Sequence, residues 1–72
     1  MSYKMEFKEV PIQGVQAVTE KAVLIIREDH VLLWVPRSVV SHADDKDLDE
    51  GEKYPNKDSI HIATWFAEKE DL

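Results

Sequence analysis

Residues 22–38 constrain the fold of this chain more than any other stretch. They read Ala-Val-Leu-Ile-Ile-Arg-Glu-Asp-His-Val-Leu-Leu-Trp-Val-Pro-Arg-Ser. Two apolar runs flank a short polar break, and Trp34-Val35-Pro36-Arg37-Ser38 closes the second. Val23, Leu24, Ile25 and Ile26 are mostly β-branched, as strand interiors favour. An unbroken apolar run implies burial on both faces, and its shortness argues against a helix. The spacing predicts strands over 20–27 and 31–35. Glu28-Asp29-His30 suits the turn between them, with Asp29 hydrogen-bonding its own backbone. The break contains no glycine, which disfavours a primed two-residue turn. Pro36 has no N–H to donate and stops the second strand. Arg37 to Val40 suit a single 3₁₀ or helical turn.

The flanks complete a small β-rich unit. Residues 4–18 show a loose period of two, interrupted by Pro11 and Gly14. Both residue types mark edges or bulges in strands, so this segment is expected to be one long, bent strand. Ser59–Ala63 is a short strand with Ile60 and Ile62 on one face and His61 on the other. Thr64 to Asp71 is a terminal helix with Thr64 as its N-cap. Glu70 and Asp71 oppose the helix dipole, so the helix should be short and frayed unless Trp65, Phe66 and Leu72 dock on the sheet. The expected core is Phe7, Val10, Val23, Ile25, Leu32, Trp34, Ile60, Ile62 and either Trp65 or Phe66. On that assignment Trp34→Ala unfolds the domain or nearly so.

Seventy-two residues make one domain, 1–72, whose small core leaves a thin stability margin. The expected fold is mainly β with one short C-terminal helix: a small antiparallel sheet or a partly open barrel, SH3-like or OB-like. The chain contains no cysteine, which excludes disulfides, thiolate zinc sites and thiol catalysis. The N-terminal residues contain no signal-peptide apolar region. The longest apolar runs fall far short of the roughly 20 residues that span a bilayer, so a soluble protein without membrane contact is expected.

The net charge of −6 is unevenly placed: residues 1–40 sum to zero, 41–58 to −4 and 59–72 to −2. Residues 41–58 have few apolar side chains and are expected to form an acidic, flexible loop. An acidic surface repels a phosphate backbone, because nonspecific nucleic-acid binding depends on Lys and Arg displacing counterions. It favours a basic partner surface, or solubility alone.

No constellation in the chain suggests catalysis, and the chain is not expected to be an enzyme or to hold a cofactor or metal. Asp45-Lys46-Asp47-Leu48-Asp49 resembles the start of a calcium loop. Counting from Asp45, however, the sixth position is Glu50 rather than glycine, and the twelfth is Asn56 rather than glutamate. His30, His42 and His61 have no ligand spacing for zinc. Ser38 and Ser41 lie near His42 without a nucleophile-elbow motif, and with only two glycines no phosphate loop is possible. Aromatic residues could stack bases in a small barrel, but the basic groove this needs is thin.

Three short motifs recur in a recognisable order: Thr19-Glu20-Lys21-Ala22-Val23-Leu24, then Trp34-Val35-Pro36-Arg37-Ser38, then Trp65-Phe66-Ala67-Glu68-Lys69. They resemble a group of short, uncharacterised proteins of bacteriophages and integrated mobile elements, over most of residues 19–69. This chain departs from that pattern in its hairpin, where Glu28-Asp29-His30 stands in place of Asp-Gly or Gly-Glu. The resemblance implies a bacterial-host cytoplasm and genes near replication and recombination functions.

Three roles are then expected, in order: the two that follow and, last, a purely structural one that the sequence does not separate from the first. The first is a non-enzymatic protein-interaction module that modulates a host or phage nucleic-acid machine through its acidic surface. Its expected contact residues are Asp44, Asp45, Asp47, Asp49, Glu50 and Arg37, with a basic-surfaced protein partner and a possible homodimer through a strand edge. The second is a single-stranded nucleic-acid accessory protein, which the charge disfavours.

Overall fold

The computed structural model of the chain describes residues 6–72. It is mainly β, with a short C-terminal helix. The strands are β1 (Phe7–Val18), β2 (Ala22–Arg27), β3 (Leu32–Pro36) and β4 (Ser59–Ala63), and the α-helices are α1 (His42–Asp45) and α2 (Thr64–Lys69). One antiparallel sheet has the order β3-β2-β1-β4. Residues 4 and 5 of the expected first strand lie outside the described residues.

β1 bends because it serves two partners in succession. Phe7 to Pro11 pair with β4, from Phe7–Ala63 to Pro11–Ser59. Ile12 to Val18 pair with β2, with register shifts between Ile12 and Gly14 and between Val15 and Ala17. Each shift inserts an unpaired residue and tightens the twist. On the opposite edge of β1, Val15 and Tyr54 exchange two backbone hydrogen bonds of 2.9 Å, and the Gly51 N–H donates to the Val18 carbonyl. Gly14 permits that approach: a Cβ there would stand 3.1 Å from the Tyr54 carbonyl oxygen and 3.2 Å from that of Pro55.

The chain leaving β3 makes a 3₁₀ turn, Arg37–Val39, and comes round to the far edge of β4. There Val40 bridges Ile62 and the Ser41 N–H donates to the His61 carbonyl at 2.9 Å. The sheet is therefore open but curled, consistent with a small SH3-like or OB-like domain. Its concave side holds Val10, Ile12, Val15, Val18, Val23, Ile25, Val35, Ile60, Ile62 and Phe66. Fully burying one such side chain contributes about 1.5–3 kcal/mol.

The β2–β3 turn solves its lack of glycine with strain. His30 donates its N–H to the Arg27 carbonyl, and Arg27 donates to Val31, both at 2.8 Å. Between them His30 takes a left-handed φ of 68°. Asp29 Oδ1 accepts from the Val31 N–H at 3.1 Å, the side chain-to-backbone bond expected of it.

Helix α2 ends in a Schellman arrangement. The Leu72 N–H donates to the Ala67 carbonyl and the Asp71 N–H to that of Glu68. Asp71 takes the left-handed position, at φ 58°, that glycine usually fills. The tail is secured because Leu72 packs against the core and Lys8 Nζ donates to the Leu72 main-chain oxygen at 2.7 Å.

Several expectations need correction. Val10, Val23, Ile25, Ile60 and Ile62 are buried, and of the two aromatics of α2 it is Phe66 that enters the core. Phe7, Leu32, Trp34 and Trp65 do not: they are 41, 51, 50 and 56% exposed. On β3 the residues facing the core are Val35 and, partly, Leu33. Both parities of β2 and β3 are apolar, so alternation could not choose between them. Val23, Ile25, Leu33 and Val35 went inward, and Trp34 is not the centre of the core. The N-cap of α2 is Ala63 and not Thr64. Thr64 is already the first helical residue, and its N–H is held by the Glu6 carbonyl at 2.8 Å, extending the β1–β4 ladder. Finally, the acidic stretch 41–58 carries more structure than its composition indicates. It contains α1, buries Leu48 and lays Tyr54 along β1.

Candidate interaction surface

The six residues that the sequence marks as contact residues divide into two kinds. Arg37, Asp44 and Asp45 face inward, onto the protein itself. Arg37 Nε donates to Asp45 Oδ1 at 2.8 Å. Its Nη1 donates to the Thr19 carbonyl at 3.1 Å, and its Nη2 to the carbonyls of Asp45 and Leu48 at 3.1 and 2.7 Å. The planar fork of guanidinium donors suits a site with several convergent acceptors. One side chain thus ties the β1–β2 turn, the end of α1 and the segment that buries Leu48.

Asp44 holds the other side of α1. Ser41 caps this helix, its Oγ accepting from the Asp44 N–H. Asp44 Oδ2 accepts from the His61 N–H at 2.6 Å and lies 3.1 Å from His61 Nδ1. Lys57 Nζ stands 3.7 Å from Oδ1. Burial pushes the Asp44 carboxyl upward, but the His61 N–H, the His61 ring and the Lys57 charge outweigh it and hold the group below its ordinary value. The two neighbouring carboxylates therefore point to different partners and do not share a site.

Asp47, Asp49 and Glu50 are exposed and form the outward acidic face of this segment. The Asp49 backbone is fixed by its N–H donating to the Tyr54 hydroxyl at 2.7 Å, while its carboxylate faces solvent.

A second surface carries Leu32 and Trp34, which the sequence places in the core and which lie outside it. On the outer face of the β2–β3 hairpin, Leu24 stands opposite Trp34, Ile26 opposite Leu32 and Ala22 opposite Pro36. Ala17 of β1 continues the row beside Leu24. Leu24, Ile26 and Ala22 are half-buried, whereas Leu32 and Trp34 are half exposed. No charged side chain interrupts residues 31–36. Cross-strand pairing of this kind builds a continuous apolar strip.

This strip ends at an edge. The Arg27–Val31 and Lys21–Arg37 hydrogen bonds bracket the β2–β3 ladder, so Leu33 and Val35 are the β3 residues bonded to β2. The N–H and C=O groups of Leu32 and Trp34 point the other way, and no backbone partner for them exists among the described residues. Natural sheets usually blunt such an edge with charge, a bulge or a covering element. Here Pro36 provides the only blunting among the described residues, at one end. Among the described residues, no helix is long and apolar enough to cross a membrane.

No family model matches this chain, and no curated protein or solved structure matches it either.

Proposed function

We propose that this chain is a small, non-enzymatic protein-interaction module that docks through the outer face and free edge of its β2–β3 hairpin. The observation that supports this reading is the half exposure of Leu32 and Trp34 side by side on an apolar strip. Contiguous exposed apolar area rimmed by polar residues is typical of protein-docking surfaces, and aromatic residues are enriched at interface centres. The resemblance to short phage and mobile-element proteins suggests a bacterial-host setting and a partner in a nucleic-acid machine.

The acidic side chains take a smaller part in this reading than composition suggests. Asp44 and Asp45 are committed to His61 and Arg37, which leaves Asp47, Asp49 and Glu50 to steer a basic-surfaced partner. Such steering alters association rate more than affinity.

The test is capture of host proteins by three tagged versions of the chain: parent, Leu32→Lys, and Asp47→Asn with Asp49→Asn and Glu50→Gln. A nuclease-resistant partner retained by the acid-neutralised version and lost by Leu32→Lys supports the hairpin face. Retention by Leu32→Lys would contradict it.

A further inference from the structure

We infer that the occupant of this face is a second copy of the chain, with β3 paired antiparallel to β3 of the copy about a two-fold axis at Leu33. The inference rests on the hairpin face being a docking surface, and it names the partner.

The register follows from which groups the edge leaves free. Leu32 and Trp34 point their backbone groups outward. A two-fold axis at Leu33 sets Leu32 opposite the copy's Trp34 and Trp34 opposite the copy's Leu32. Each such pair exchanges two hydrogen bonds, four in all. The next outward position sets Pro36 opposite the copy's His30. Pro36 has no N–H, and the His30 N–H is already held by the Arg27 carbonyl. The ladder therefore closes without stranding a donor at either end.

The side chains obey the same symmetry. On the outer face each Trp34 lies beside the copy's Leu32, a large aromatic against a branched aliphatic, which are favourable cross-strand neighbours. No like charges meet along 31–36, because none are present. At the ends, antiparallel pairing brings the Glu28-Asp29 turn of each copy, where Asp29 faces Arg27 of its own chain at 3.7 Å and Glu28 accepts from Gln13, to the end of the other hairpin. Lys21 is exposed there and has no ion-pair partner among the described residues. A chain of net charge −6 repels itself, and Lys21, one strand in from the edge, offsets part of that repulsion where the copy's acidic turn arrives.

The interface is small. Half of Leu32 and Trp34 remains to be covered on the outer face, on the order of 200 Å² per copy against roughly 800 Å² per partner in a standard interface. The dimer is therefore weak and reversible, and it competes with any other partner for the same edge.

Sedimentation equilibrium from about 10 μM to about 1 mM tests the inference, since association must scale with concentration. The parent chain should move from monomer to dimer across that range. Leu32→Lys should remain monomeric, with its melting curve showing that it is folded, and Lys21→Glu should weaken pairing several-fold. Amide exchange supplies a readout independent of substitution: the Leu32 and Trp34 N–H groups should gain protection with concentration, while those of Leu33 and Val35 should not change. A parent chain monomeric at the highest concentration, or a Leu32→Lys variant that dimerises as the parent does, would overturn pairing with a copy. A monomeric parent combined with host-protein capture that Leu32→Lys abolishes would remove only the second copy and leave the docking face standing. Loss of neither would remove both.

Discussion

Arg37 and Asp45 are joined by a 2.8 Å hydrogen bond between Nε and Oδ1, and the same guanidinium carries three backbone carbonyls that have no other side-chain donor among the described residues. This one cation organises the acidic segment. Without it, the Thr19, Asp45 and Leu48 carbonyls lose their shared donor and the anchor at Leu48 loosens.

Arg37→Ala should therefore destabilise the domain by about 2–3 kcal/mol, because hydrogen bonds to a charged group contribute more than neutral ones. Asp45→Asn, which leaves the three carbonyl bonds intact, should cost about 1 kcal/mol. Urea denaturation followed by circular dichroism measures both. An Arg37→Ala variant as stable as the parent would mean that the clamp does not form.

Acid should act through Asp44. Its carboxyl titrates below its ordinary value in the fold and near 3.9 when unfolded. A lowered folded pKa stabilises fully above the unfolded value, and the benefit is lost as pH falls through the folded value. The parent should lose stability below about pH 4. Asp44→Asn should be less stable than the parent at neutral pH and should lose less on acidification. Parallel acid-titration slopes in the two proteins would remove Asp44 from the acid response.

Two strained backbone positions should respond to glycine. His30 and Asp71 both sit at left-handed φ, where a side chain is costly and glycine is not. His30→Gly and Asp71→Gly should each raise stability by about 0.5–1 kcal/mol in thermal melts. Destabilisation by His30→Gly would place the turn in a different geometry.

Gly14 should show the opposite sign. Its missing Cβ is what lets Tyr54 and Pro55 approach β1. The atoms in the way are backbone, which yields less readily than a flexible side chain. Gly14→Ala should cost about 1–3 kcal/mol, as overpacking does, and should release Tyr54 from its bridge to Val15. Lost amide protection at Tyr54 reports the release.

The hairpin over residues 22–36, the bent first strand and the late strand and helix were all legible in the sequence. Their signals are local: β-branched runs, Pro11 and Gly14 at the bend, and Asp29 in the turn. The face of β3 was not legible, because Leu32 and Trp34 are as apolar as Leu33 and Val35. Only the register of the turn decides which pair points inward. The acidic segment hid its structure for a related reason. Leu48 is a single apolar residue among acids, and its burial depends on carbonyls held by an arginine eleven residues earlier. Charge alone points to Arg37, Asp44 and Asp45 as contact residues, and charge does not say whether a partner lies inside the molecule, as it does here, or outside.

The outer face of the β2–β3 hairpin is surface and not core. The most direct measurement is the unfolding free energy of Leu32→Lys with Trp34→Lys, at a concentration of about 1 μM where self-association is negligible. Surface substitutions usually change stability by less than about 0.5 kcal/mol each, and partial contact with Leu24 and Ile26 adds a little. The double variant should stay folded, within about 2 kcal/mol of the parent. An unfolded variant, or a loss above about 4 kcal/mol as lysines forced into a core would cause, would contradict it.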